Sequence, residues 1–95
     1  MNLQELHVSE KDVSAVSLFK GELATATSIH LRKNGILKEH ITKTSALLLC
    51  ISGKVTYQDE TDKQIVLERG DYTPIEPNVK HWLNAALDSQ LVLLK

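Results

Sequence analysis

Cysteine is nearly absent from this chain: Cys50 is the single one in 95 residues, so no internal disulfide can form and packing alone must hold the fold. That usage suits a reducing compartment, and the cytoplasm is the expected location. An excess of either charge is also missing. Eleven Lys and Arg against 12 Asp and Glu leave a net charge of -1, without the clustered cations that displace counterions, so no nucleic-acid partner is expected. Long hydrophobic runs are lacking as well: the longest aliphatic stretches, Ala46 to Ile51 and Leu91 to Leu94, fall far short of the roughly 20 residues of a membrane helix, and no membrane partner is expected. The opening Met1-Asn2-Leu3-Gln4-Glu5-Leu6-His7 has neither a basic n-region nor an apolar h-region, so no signal peptide is expected. No internal repeat, low-complexity linker, P-loop, Cys-x-x-Cys pair or Ser-His-Asp ordering occurs.

What is there suits one small globular domain. Apolar residues make up 42% of the chain and charged residues 24%, which argues against disorder, and 95 residues leave no room for a second core. Residues 1–12 read as an N-terminal arm or short helix, and 13–95 as the β-domain. From Val13 onward, β-prone runs alternate with turn residues every roughly 8 to 12 positions, the spacing of an antiparallel sandwich or barrel. Strands are predicted at Val13 to Lys20, Leu23 to Arg32, Ile36 to Thr42, Ser45 to Ser52, Lys54 to Gln58, Gln64 to Glu68, Tyr72 to Ile75, His81 to Ala86 and Gln90 to Leu94. Gly21, Lys33-Asn34-Gly35, Ser52-Gly53, Asp59-Glu60-Thr61-Asp62 and Arg69-Gly70 supply the reversals between them. Ser45 to Cys50 is rich in Ala and Leu and could be helical; its length and the hairpin signal that follows favour a buried strand.

Period-2 alternation assigns faces. If His81 points inward, so do Leu83 and Ala85; His40 shares a face with Thr42, and Ala46 with Leu48 and Cys50. Trp82, Leu47, Leu49 and Ile51 then lie outside, where a second layer or another subunit must cover them, and a homodimer is expected. Tyr57 and Tyr72 read as strand packing residues with wet hydroxyls, and Lys38-Glu39 and Asp59-Glu60 as solvated charges.

The stretch Gly70-Asp71-Tyr72-Thr73-Pro74-Ile75-Glu76-Pro77-Asn78-Val79-Lys80-His81-Trp82-Leu83-Asn84 organises the rest. It reads as a turn glycine, a short strand, a Pro-Asn corner and a second strand opening on a histidine, so two rigid elements deliver one side chain to one place. Asn78 suits the corner because Asn tolerates left-handed backbone angles better than other non-glycine residues. This stretch resembles the second motif of the cupin family, and Gly53 resembles the terminal glycine of that family's first motif. The resemblance covers roughly Gly35 to Asn84 and implies an all-β fold, a cupin-type jelly-roll barrel of two antiparallel sheets.

In cupins, two histidines and a glutamate of the first motif and a histidine of the second bind Fe, Mn, Ni, Zn or Cu. Here His40 falls on the first histidine, Thr42 on the second, Ala46 on the glutamate and His81 on the histidine of motif two. The resemblance thus implies one divalent metal ion with His40 and His81 as its remaining ligands, while two side chains alone hold metal poorly. Cys50 and His30 are conceivable replacements; a lone cysteine in an aliphatic run is otherwise a small core residue. The favoured expectation is a barrel that binds a small molecule beside a degenerate or remodelled metal site, in a pocket lined by His40, Thr42, Leu48, Cys50, His81 and Leu83. The alternatives are a metal-dependent cupin enzyme of dioxygenase or isomerase type, and a purely structural dimer module.

Overall fold

A computed structural model describes residues 1–8 and 10–95; Ser9, inside the arm expected over 1–12, lies outside the described residues. The chain opens with a one-turn 3-10 helix, Leu3–Leu6, capped by Asn2, whose side-chain oxygen accepts the Gln4 N–H at 2.9 Å. Among the described residues nine strands follow: β1 (Val13–Lys20), β2 (Thr25–Leu31), β3 (Ile36–His40), β4 (Ala46–Ser52), β5 (Lys54–Asp59), β6 (Gln64–Glu68), β7 (Tyr72–Ile75), β8 (His81–Ala85) and β9 (Ser89–Leu94). No helix among the described residues is long and apolar enough to cross a membrane.

Where the strand bounds differ from expectation, most do so by one residue; the two larger differences each have a specific hydrogen bond behind them. The second strand starts at Thr25 rather than Leu23, because Gly21 N–H donates to the Ala24 carbonyl and closes a turn there. The third stops at His40, two residues early, because the Thr42 carbonyl is taken by the Asn78 N–H of a distant corner. The Ala- and Leu-rich run is β4, whose both edges are occupied: β9 pairs on one side and β7 on the other.

The strands form two antiparallel sheets, one of five in the order β1-β2-β9-β4-β7 and one of four in the order β3-β8-β5-β6. Alternation sends Ile29, Leu31, Leu48, Cys50, Ile75 and Leu91 of the larger sheet inward against Val55, Tyr57, Leu67, Leu83 and Ala85 of the smaller one. Burying each large aliphatic side chain is worth about 1.5–3 kcal/mol, so this shared layer is what holds a chain without crosslinks together. Gly53, between β4 and β5, sits at φ +91°, and a Cβ there would meet the Asp88 carbonyl and come within 2.6 Å of Ser89 Cα. Only glycine satisfies both conditions.

The residues expected on the outer faces are divided between the two sheets. Leu47, Leu49 and Ile51 lie on the outside of the five-stranded sheet, whereas Trp82 lies on the outside of the other sheet, its indole N–H donating to Gln58 Oε1 at 3.1 Å. A single interface therefore cannot cover all four. Part of the larger sheet is covered instead by the N-terminal turn: His7 Nδ1 and Nε2 each lie 2.8 Å from a hydroxyl, of Ser14 on β1 and Ser28 on β2.

Candidate functional site

The corner between β7 and β8 is built to aim one imidazole. Asn78 takes φ 63°, in the left-handed region expected of it, and donates its N–H to the Thr42 carbonyl at 2.7 Å. The chain then turns so that the Val79 carbonyl lies 3.2 Å from His81 Nδ1. On the neighbouring strand, His40 pairs directly opposite His81 after a register shift in β3, and its Nδ1 lies 2.7 Å from the Lys38 carbonyl. A carbonyl can only accept, so both rings carry their proton on Nδ1 when neutral and leave Nε2 as a bare lone pair. The two rings are 6.3 Å apart, tilted by 47°.

Both histidines line a cavity of about 200 Å³ between the sheets, together with Thr42, Leu48 and Leu83 of the expected set. Its other walls are Ala15, Thr27, Ile29, Leu37, Ile41, Ile75, Leu93 and Lys95. The composition is that of a ligand site: mainly apolar, with a few convergent polar groups. Thr42 Oγ1 is buried in this wall without a hydrogen-bond partner.

Cys50 is not among the lining residues. It shares the inward face of β4 with Leu48 but lies deeper in the core, fully buried, its thiol donating to the Ser52 carbonyl at 3.4 Å. Burial, reinforced by Asp71, pushes that thiol's pKa up, which suits a core residue rather than a nucleophile. His30 is on the outer face of the five-stranded sheet, paired with Gln90 across β9 and 5.7 Å from the His7 ring, so it takes no part in the cavity.

Behind His81 stands a buried polar layer that the sequence expectations miss. Tyr57, expected to have a wet hydroxyl, is fully buried; its ring stacks on His81 at 5.9 Å and its OH donates to Asp59 Oδ2 at 3.1 Å. Asp59, expected as a solvated charge, is also buried. The other carboxylate oxygen, Oδ1, accepts the Thr61 N–H at 2.9 Å, the Thr61 hydroxyl at 2.6 Å and the Lys63 N–H at 3.3 Å. Burial pulls the Asp59 pKa up, but these donors outweigh it and hold the carboxyl below its ordinary value. Lys63 Nζ lies 5.6 Å over the Tyr57 ring and donates to Thr73 Oγ1 at 2.9 Å. The strand runs one residue further than the expected Lys54 to Gln58, so Asp59 lies on the same buried face as Tyr57 rather than in the turn.

His81 binds a proton less readily than a free imidazole. Burial is the main cause and repulsion from His40 and Lys95 adds to it, against the pull of the Val79 carbonyl and Asp59.

The residues present do not complete a cupin metal site. His40 and His81 could each offer Nε2, but the glutamate position holds the methyl group of Ala46 and the second histidine position the hydroxyl of Thr42. No group of three or more His, Cys, Asp or Glu poised for a metal ion occurs among the described residues.

No family model matches the chain, and no curated protein matches it. Solved structures do. A cupin superfamily protein from Desulfitobacterium hafniense superposes with a TM-score of 0.86 at 13% identity, covering 98% of this chain and 84% of the other. A conserved protein of unknown function from Streptococcus pyogenes superposes at 0.83 with 16% identity, over 99% and 82%. An RmlC-like cupin family protein with a double-stranded β-helix fold, from Methanocaldococcus jannaschii, superposes at 0.78 with 16% identity, over 94% and 84%. Likeness at such identities speaks for architecture, and it agrees with the strand order and corner described above: this chain has the cupin fold.

Proposed function

We propose that this protein is a small-molecule-binding barrel in which the cupin metal site has been remodelled into a hydrogen-bonding site. The observation that carries the reading is that His40, His81 and Thr42 line one mainly apolar cavity, each imidazole with its Nδ1 against a backbone carbonyl and only Nε2 left free, while the glutamate position holds Ala46. At about 200 Å³ the cavity is smaller than the 300–1,000 Å³ of sites for drug-sized molecules, so the ligand is small. Ligand-observed NMR against a mixed fragment set tests this. Binding should be seen with wild type and lost in Ala15→Phe, which fills the cavity from an exposed strand position; a fragment set that never binds sinks the reading.

A second reading, a metal-dependent enzyme of dioxygenase or isomerase type, has one observation in its favour. Metal-binding histidines commonly have their other ring nitrogen held by a carbonyl, as both are here. Elemental mass spectrometry of protein purified without chelators separates the two. Stoichiometric Fe, Mn, Ni, Zn or Cu that disappears in His40→Ala and in His81→Ala supports the enzyme; a metal-free wild type after incubation with each ion supports the binding barrel.

The homodimer belongs to the same proposal. Leu47, Leu49 and Ile51 form an apolar stripe on β4, continued by Leu94 and Tyr72 on the strands beside it, and a second copy would shield this stripe from water. Light scattering on a sizing column decides it, with Leu49→Lys expected to give monomer.

A further inference from the structure

We propose a second ligand site, on the outer face of the five-stranded sheet beside the N-terminal turn, which takes the NH2 group of a small uncharged amide. A cavity of about 360 Å³ lies there, walled by His30 on β2, Gln90 on β9, Ile51 and Ser52 at the end of β4, and Leu3 and Gln4 of the turn. It shares no residue with the cavity between the sheets, so the two sites are independent. Its size falls within the roughly 300–1,000 Å³ of small-molecule sites, and exceeds many times the roughly 30 Å³ of one water.

Two buried atoms of these walls, Gln90 Oε1 and His30 Nδ1, have no hydrogen-bond partner among the described residues. Gln90 and His30 pair directly opposite each other across β2 and β9, where side chains on one face start about 4.5–5.5 Å apart, within reach of a single ligand group. Gln90 is 6% exposed, and the orientation of its amide is fixed. Nε2 lies 3.1 Å from the Ile29 carbonyl, 3.4 Å from the Leu91 carbonyl and 2.7 Å from Ser28 Oγ. Carbonyls only accept, so the NH2 end is committed there and the bare oxygen is an acceptor. A buried acceptor left unpaired is unfavourable, and a donor placed beside it removes the deficit.

The charges around the cavity favour a neutral donor. No Lys or Arg lines it, and its one acid, Asp88, is exposed with Oδ1 already accepting the Lys33 N–H at 2.7 Å. An anion would meet a bare oxygen, and an ammonium would be buried against two uncharged groups without a buried counter-charge. A primary amide serves both atoms without charge: one N–H donates to Gln90 Oε1, and the second N–H or the carbonyl meets His30 Nδ1, which accepts or donates according to its tautomer. Leu3 and Ile51 offer hydrocarbon to the rest of the molecule.

The test is a two-dimensional amide NMR titration with benzamide, with N,N-dimethylbenzamide as the counterpart lacking the donor, and with sodium benzoate as the anion. Benzamide should shift the backbone amides of His30, Ser52 and Gln90 and the Gln90 side-chain NH2 saturably, and bind about tenfold more tightly than either counterpart. His30→Phe, which keeps a ring and removes the nitrogen, should weaken benzamide about threefold, and Gln90→Met should abolish binding. If Gln90→Met fails to fold, the three ligands on wild type and on His30→Phe still decide. Ile51 also belongs to the apolar stripe on β4, so Leu49→Lys is titrated as well and should bind as wild type does; loss of binding there would put the site between two copies and overturn its assignment to one chain. Equal affinity for the dimethyl amide overturns the donor assignment. Shifts confined to Thr42 and His81 place benzamide between the sheets, overturning the outer site and supporting the binding barrel. No shift with any of the three leaves water as the occupant and overturns the outer site as well.

Discussion

Asn78 and Thr42 are joined by one backbone hydrogen bond, N–H to carbonyl at 2.7 Å, and that bond fastens the corner aiming His81 to the segment carrying His40. The two halves of the site lie far apart in sequence; this bond and the β3–β8 pairing hold them in register, and the imidazole centres are 6.3 Å apart.

The corner should accept glycine and resist other residues. Asn78 sits at φ 63°, where an ordinary L-residue is strained by roughly 1–2 kcal/mol. Asn78→Gly should leave the melting temperature nearly unchanged, while Asn78→Val should lower it by about 4–8 °C or more, the shift expected per kcal/mol in a domain of this size. Equal melting of the two variants would contradict the assignment.

Gly53 and Gly70 share left-handed backbone angles, φ +91° and +87°, but differ in their surroundings. A Cβ on Gly70 meets nothing within 4 Å, so Gly70→Ala should cost only the backbone strain, about 1 kcal/mol. Gly53→Ala drives a methyl group into the backbone of Asp88 and Ser89 and should prevent folding or lower stability by several-fold more. Chemical denaturation of the two proteins side by side measures the difference.

Acid should weaken the fold in the histidine range. His81 and His7 both have pKa values lowered from the ordinary 6.5, in each case mainly by burial, with the His30 ring adding repulsion at His7. The unfolded chain therefore takes up protons near that value while the folded chain resists them, so stability is present above it and declines below it. Melting temperature should fall between about pH 7 and about pH 5, and fall less in His81→Gln. A flat profile across that window would be inconsistent with buried neutral imidazoles.

Alkali probes the Tyr57–Asp59 layer. Burial first, and the Asp59 carboxylate second, push the Tyr57 hydroxyl well above its ordinary value. Its proton is thus held more tightly folded than unfolded, and stability falls as pH rises past the ordinary tyrosine range near 10. Ultraviolet titration should show the Tyr57 phenolate forming only as the protein unfolds, and Tyr57→Phe should remove that component while leaving Asp59 short of one donor, a loss of about 1–3 kcal/mol.

The N-terminal turn should come loose when its clamp is removed. His7 bridges Ser14 on β1 and Ser28 on β2 through both ring nitrogens. His7→Ala should raise amide exchange across Leu3–Leu6 at least tenfold and leave β4, β5 and β8 protected; unchanged exchange would show that the turn is held by its leucines alone.

How much of this was legible depended on whether the cause was local. Turn chemistry is local, so the corner at Asn78 and the reversals at Gly53 and Gly70 could be read directly, and the strands between them followed. Alternation is local too, and it put Thr42 with His40 and Leu83 with His81. Depth along a strand is not. Cys50 and Leu48 share a face, yet of the two only Leu48 lines the cavity, while Cys50 is fully buried in the core. Asp59 looked solvated for the same reason: its burial comes from β5 pairing with β8, which sets it opposite His81. Likewise the polar groups of Ser14, Ser28 and Gln90 are buried by a segment docked from elsewhere in the chain, and no spacing announces such docking.

The position of β9 bears on biosynthesis. It is the last strand of the barrel, and it lies in the middle of its sheet, between β2 and β4. Until it emerges from the ribosome, those two strands each expose an unpaired edge and the large sheet stays in two pieces. The large sheet thus closes only once β9 is in place, and a chain lacking it would carry two open edges of the kind that promote aggregation.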